Sequence, residues 1–163
     1  MNKNVFRDIQ GQPMENNTVN AGRSETMIRR FNVINDEITS LYHQASLKLG
    51  FADSEMVILY LLCDYGMISQ RRIIEITGMS KQTVSSSISR MENAGWLLRG
   101  TKNGHRREIT LTESGENLIR NVLRPFIEQE ESIFSDWTED EKEIFLKLNR
   151  RYRDKLRDIV ASI

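Results

Sequence analysis

The chain has 163 residues, 39% of them apolar and 28% charged, and its 23 basic and 23 acidic side chains cancel to a formal net charge of zero. That length and composition suit one soluble domain, and the longest apolar run, Met56 to Cys63, is too short for a membrane helix. One cysteine and two histidines leave no disulfide framework and no spaced zinc set. No phosphate loop or nucleophile elbow occurs, so no metal, cofactor or catalysis is expected.

In chain order, residues 1–23 are rich in Asn, Gln, Gly and charge, with Val5 and Phe6 as isolated apolar positions. Such a segment cannot bury enough to fold alone and reads as a flexible arm; the alternative is a short helix around Val5 to Ile9 docking on the body or on a partner subunit. No signal-peptide pattern occurs, which predicts a cytoplasmic protein. From Ser24 to Leu49, Met27, Phe31, Ile34, Ile38, Leu41 and Ala45 recur in steps of four and three, the stripe of a long helix that packs on other helices. The Met56–Cys63 run follows in a helical context.

Residues 68–111 predict two short helices, a tight turn and a basic hairpin. Ser69 is a candidate N-cap ahead of Ile73, Ile74 and Ile76, and Gly78 stops that first helix in the left-handed conformation that glycine adopts without steric cost. Gly78 and Met79 then leave just enough chain to turn before Ser80 caps a second helix, which is helix-turn-helix spacing. Along that second helix Val84, Ile88 and Met91 form an inward stripe, while Gln82, Ser85, Ser86, Ser89 and Asn93 point outward. Short hydroxyls permit close approach to a major groove, a glutamine pairs with an adenine edge, and Lys81 and Arg90 at the flanks suit phosphates. Taken alone, the serines favour a solvated helix face.

Gly95 closes the second helix, Trp96, Leu97 and Leu98 open an extended run, and Ile109 and Leu111 alternate with Glu108 and Thr110 on the return. Asn103-Gly104 is a strong hairpin signal, set among Arg99, Lys102, His105, Arg106 and Arg107. Such a basic hairpin is a wing able to lie along or enter a minor groove. Residues 66–111 contain eight Lys/Arg against three acids, an excess of +5 that the rest of the chain balances. Phosphate affinity follows this local field rather than the net charge.

Thr112 begins a helix past Leu118, Val122, Leu123 and Phe126, in which Pro125 removes a hydrogen bond and predicts a bend. Glu128, Glu130 and Glu131 read as a solvated helix end. Thr138 with Glu141 makes a capping box, after which Phe145, Leu148, Tyr152, Leu156, Ile159 and Ile163 continue a stripe. The basic run Arg150, Arg151, Arg153, Lys155 and Arg157 suits intrahelical or intersubunit pairs better than phosphate. Two long terminal helices carry more apolar surface than the compact reader covers, and the sensible partner is a second copy.

Over roughly residues 24–163 the chain resembles the MarR family of winged helix-turn-helix transcriptional regulators. The resemblance rests on Gly78-Met79-Ser80, Thr83-Val84-Ser85, Gly95, the basic wing from Lys102 to Arg107, and Leu111-Thr112-Glu113-Ser114-Gly115. The family wing usually carries an Asp-x-Arg near its tip. Here Asn103, Gly104 and His105 stand there, so either Arg106 probes the minor groove in a shifted register or that contact is altered. The resemblance implies a dimer with interleaved termini and a ligand pocket between reader and dimer helices, for which Tyr42, His43, Met56 and Tyr60 are candidates; as aromatic or soft side chains on buried helices they fit ordinary core better. Some MarR-like regulators sense oxidants through a cysteine, but Cys63 lies in the most apolar helix and the chain holds no second cysteine to resolve a sulfenic acid.

The expected fold is mainly α with a small β wing. A flexible arm spans 1–23, a winged helix-turn-helix DNA-binding region spans 51–112, and a helical dimerisation region spans 24–50 and 113–163. The expected DNA-binding residues are Ser69, Ser80, Lys81, Gln82, Thr83, Ser85, Ser86, Ser89, Arg90, Lys102, His105, Arg106 and Arg107; those for dimerisation are Met27, Phe31, Ile34, Tyr152, Leu156, Ile159 and Ile163. The expected partners are double-stranded DNA, a second copy and a small-molecule effector, with no membrane. The expected function is a homodimeric repressor that a ligand releases from a palindromic operator. The alternative is a winged-helix adaptor or architectural module without sequence preference.

Overall fold

Helices dominate the computed structural model, which describes residues 26–102 and 106–163; the arm expected over 1–23 lies outside them. In order come α1 (Met27–Leu49), α2 (Asp53–Tyr65), β1 (Met67–Ser69), α3 (Gln70–Thr77), α4 (Lys81–Asn93), β2 (Leu97–Lys102), β3 (Arg106–Leu111) and α5 (Glu113–Leu118). A π-helical turn (Ile119–Leu123), α6 (Arg124–Glu131), a 3-10 turn (Ser132–Phe134) and α7 (Glu139–Ala161) complete the order. The chain divides into two units, residues 1–42 and 43–163, with α1 running through the boundary.

In the first unit Met27 and Ile34 are exposed and Phe31 is half-buried. The second unit holds the core. Helix α2 is apolar on nearly every side, and such a helix must be enclosed: Met56, Ile58, Leu59, Leu61 and Leu62 are all buried. Around them close Ile68, Ile73, Val84, Ile88, Met91, Leu97, Ile109, Ile119 and Leu123. The inward stripe of Val84, Ile88 and Met91 is therefore the one the sequence spacing predicts. Ile76 is a correction: at 39% exposure it lies off the buried face, which Ile73 alone fills completely.

The sheet has the order β1-β3-β2, antiparallel throughout. Strand β1 was not anticipated, because three residues are too few to show alternation; Met67, Ile68 and Ser69 pair with Thr110, Ile109 and Glu108. Trp96 is not part of β2. It packs edge-on against Phe51, with ring centroids 6.0 Å apart.

Gly115 explains the Leu-Thr-x-x-Gly pattern. A Cβ there would collide with the Trp96 carbonyl oxygen and stand 3.0 Å from its carbonyl carbon, so α5 reaches the chain before β2 only because residue 115 has no side chain. Thr112 secures the junction. Its N–H donates to Trp96 O (3.0 Å), its hydroxyl donates to Gly95 O (2.6 Å), and its Oγ1 accepts from the Gly115 N–H (3.0 Å).

The bend expected at Pro125 takes a particular form. Proline lacks the N–H that a regular helix needs and its ring crowds the carbonyl four residues back; the preceding turn widens so that the Arg124 N–H donates to Ile119 O. The Thr138–Glu141 capping box is present, with Glu141 N donating to Thr138 Oγ1 and Thr138 N to Glu141 Oε2. Those bonds hold the exposed Glu141 carboxyl below its ordinary pKa. Glu130 is a further correction, since it is no merely solvated acid: Tyr60 Oη donates to its carboxylate at 2.6 Å.

Candidate nucleic-acid interface

The outward face of α4 follows from how the helix is held. Ser80 has extended backbone angles and its Oγ accepts the Thr83 N–H at 3.0 Å, while Gly78, at a φ of 69°, ends α3 by donating its N–H to Ile74 O. Ser69 caps α3 in the same way, accepting from Arg72 N. The turn between the two helices is thus closed by the Gly78 N–H, by the Met79 N–H donating to Thr77 Oγ1, and by Ser80. Helix α4 ends at Asn93, and Ala94 precedes Gly95, which has a φ of 78°.

The recognition helix is also bolted to α2 by polar contacts that sequence reasoning missed. Ser54 and the fully buried Ser87 share a hydrogen bond of 2.8 Å. Glu55 accepts the Ala52 N–H through one carboxylate oxygen and Arg90 Nε through the other, at 2.9 and 2.7 Å. Arg90 also donates to Ser87 Oγ. Glu55 is nearly buried, so its charge needs that arginine. An acidic residue one helical turn after Ala52 is a signal for a helix start, but nothing in the spacing ties position 55 to position 90. Arg90, expected at a phosphate, has its guanidinium on Glu55 and anchors α4, with the side chain still half exposed.

The wing has its own attachment. From β2, Arg99 Nη2 donates to Ser89 Oγ at 2.8 Å, and its Nε lies 2.7 Å from Glu92 Oε2 without a hydrogen-bonding angle, so that pair is ionic. Arg71 and Arg72 both meet Glu75 on α3, which lowers the pKa of that exposed carboxyl chiefly through the Arg71 hydrogen bond. Of the eight cations that make residues 66–111 basic, four are therefore matched by carboxylates. Lys81 has no such partner among the described residues, and Lys102, Arg106 and Arg107 sit on the strands at the wing's end, where Lys102 pairs in register with Arg106. Residues 103–105, with the Asn-Gly turn and His105, lie outside the described residues.

Lys81, Gln82, Ser85, Ser86 and Ser89 line one shallow surface on α4. Thr83 is exposed beside them and shares a 2.8 Å contact with Ser80 Oγ. Ser86 donates back to Thr83 O at 3.0 Å. Lys81, Gln82 and Ser85 make no hydrogen bond or ion pair within the described residues.

The residues expected to line a ligand pocket do not share one environment. Met56 is a core residue, 4% exposed, with its Sδ accepting the Ser46 hydroxyl, which corrects its reading as a lining residue. Tyr60 is committed to Glu130, and His43 faces Asp53 on the surface at 2.8 Å. Tyr42 belongs to the first unit. Cys63 is half-buried, and desolvation raises its thiol pKa, against the opposing influence of Arg124.

A short strand, a buried-stripe helix pair with a glycine turn and a two-stranded wing that the first strand joins as a sheet define a winged helix-turn-helix protein. A sequence profile of the MarR family matches residues 49–108. The chain is 36% identical over 77 residues to the HTH-type transcriptional regulator PecS of Dickeya dadantii, an alignment covering 46% of each chain; it thus spans about half the length of that relative. Its fold is similar to that of a MarR family regulator from Neisseria meningitidis, with a TM-score of 0.71 at 18% identity over 85% of this chain and 100% of that one. It is also similar to BpsR of Bordetella bronchiseptica, with a TM-score of 0.61 at 22% identity over 80% and 96% of the two chains; the DNA binding of BpsR is regulated by 6-hydroxynicotinic acid.

Proposed function

We propose that the protein is a sequence-specific DNA-binding transcriptional regulator, acting in the cytoplasm as a homodimeric repressor on a palindromic operator and released from it by a small-molecule ligand. The observation that carries the reading is the two-faced α4. Its apolar face is fully buried while Lys81, Gln82 and Ser85 have no hydrogen-bond or ion-pair partner among the described residues, beside a wing whose strands end in Lys102, Arg106 and Arg107. Gln82 suits an adenine edge and the wing cations suit phosphates or a minor groove.

The dimer reading rests on the long helices. Helix α7 buries none of its 23 residues, with Tyr152, Leu156 and Ile159 exposed on it and Ile163 exposed just beyond its end; α1 buries only Ser46, with Met27 and Ile34 exposed. An amphipathic helix gains its stability from covering its apolar face, and a second copy supplies that cover. A two-fold dimer then offers two recognition helices to successive major grooves, about 34 Å apart. The ligand follows by analogy with BpsR, and a small organic acid is the class to screen first.

The test is fluorescence anisotropy of the full chain on a duplex from its own upstream region, beside a scrambled duplex at the same near-physiological salt. A preference of about a thousandfold or more is expected. Equal binding to both, repeated across a selected DNA library, would overturn sequence-specific regulation and favour an architectural module whose affinity follows salt alone.

A further inference from the structure

On the outward face of α4, Ser86 and Ser89 stand one turn apart and look chemically alike. Their internal hydrogen bonds make them opposites. A hydroxyl carries one proton and two lone pairs. Ser86 spends its proton on the Thr83 carbonyl at 3.0 Å, so only lone pairs remain to face outward. Ser89 receives a proton from Arg99 Nη2 at 2.8 Å, which occupies a lone pair and leaves its own proton free; accepting from a cation also strengthens that hydroxyl as a donor. Arg99 is held for this task. It is 20% exposed, its Nε is 2.7 Å from Glu92, and it arrives from β2 rather than from α4 itself.

We propose that Ser86 and Ser89 are specificity-determining residues of opposite polarity, Ser86 accepting from an exocyclic base amine and Ser89 donating to a base acceptor, with Arg99 as the positioning residue that sets the second. The proposal rests on the reading of α4 as a major-groove helix. In that groove cytosine N4 and adenine N6 are donors, whereas guanine N7 and O6 and thymine O4 are acceptors. The base facing Ser86 is accordingly cytosine or adenine and never guanine or thymine. The base facing Ser89 is guanine or thymine, or adenine through its N7, and never cytosine. Wing and recognition helix are coupled by the same arginine, so the position of β2 bears on a base contact that the wing itself does not make.

The test is selection of duplexes from a randomised library by the full-length protein, as wild type and as S86A, S89A, R99A and R99K, with circular dichroism and melting curves to confirm folding. Wild type is expected to enrich a defined site. S89A should lose about fivefold or more of the preference at one base pair of each half-site, and S86A at a neighbouring pair; on the selected site, a base analogue lacking the major-groove amine at the Ser86 pair should weaken wild type but not S86A further, whereas the same change at the Ser89 pair should leave the difference between wild type and S89A intact. R99A should lose preference at the Ser89 pair and add nothing in the S89A background, since two residues acting through one contact are not additive. If R99A unfolds, R99K serves, because lysine keeps a cation beside Glu92 and has no second nitrogen for Ser89.

Unchanged profiles in S86A and S89A, or a Ser89 contribution that vanishes when the amine of its pair is removed, would overturn the polarity assignment while leaving DNA recognition standing. A folded R99A or R99K that weakens every sequence equally would remove Arg99 from the proposal. Failure of the wild type to enrich any sequence would sink the reading of the helix together with the proposal built on it.

Discussion

Gly115→Ala isolates the closest approach in the fold. The added methyl would overlap the Trp96 carbonyl oxygen far inside van der Waals contact and press on the carbonyl carbon at 3.0 Å and Leu111 Cδ2 at 3.1 Å. Neither a backbone carbonyl nor a helix yields cheaply, so α5 must lift from the chain ahead of β2. Overpacking of this kind costs about 1–3 kcal/mol. Lifting the helix also strains the Thr112 N–H bond to Trp96 O, 3.0 Å long, for about another 1 kcal/mol. Alanine's better helix propensity returns about 1 kcal/mol. The net expectation is a loss of about 2 kcal/mol, which for a chain of this size lowers Tm by about 4–8 °C.

Urea and thermal unfolding at fixed protein concentration measure it, since dimerisation would otherwise shift the midpoint. Gly100→Ala is the control: its Cβ would sit 3.8 Å from Glu108 O, an ordinary contact, and the expected change is within about 0.5 kcal/mol. A Gly115→Ala protein as stable as wild type would mean that helix propensity outweighs the clash, and the close approach argued here would be wrong.

Glu55→Gln removes the charge that anchors Arg90; because that arginine is half exposed, the stability loss should be only about 1 kcal/mol, and DNA affinity should fall several-fold on all sequences alike. A change of sequence preference in anisotropy titrations would contradict its assignment as an anchor. Leu156→Asp places a charge on the uncovered face of α7 and should convert the dimer to monomer in sedimentation velocity, with loss of operator binding; an unchanged sedimentation coefficient would refute dimerisation through that face. Cys63, its thiol pKa raised by burial, should alkylate at neutral pH at least about tenfold more slowly than in the unfolded chain and accelerate only as pH climbs past the usual thiol range of about 8.5. Glu141 has a folded pKa below its unfolded one, so its contribution to α7 is present above the unfolded value and fades as pH falls through the folded one; an NMR titration that found it at the ordinary carboxylate position would remove the capping box from solution.

The helix-turn-helix was legible in the chain because its determinants are local. A capping serine accepts an N–H three residues on, a left-handed glycine ends the same helix, and the stripe of Val84, Ile88 and Met91 repeats within one element. The Thr138–Glu141 box was legible for the same reason. By contrast, the anchors of the recognition helix join residues far apart in sequence, with Glu55 reaching Arg90, Ser54 reaching Ser87 and Arg99 reaching Ser89. Arg90 could thus be placed on the correct helix without its carboxylate partner being visible.

Composition and periodicity thus determined which residues form each helix, which stripe turns inward, and that the positive charge gathers around one turn and one hairpin. Only the tertiary structure decided which cations meet carboxylates, which serine donates and which accepts within the fold, and why residue 115 must be glycine. Helix caps and stripes depend on neighbours one turn away, whereas the partners of a charge or hydroxyl depend on what the fold carries to it from elsewhere in the chain.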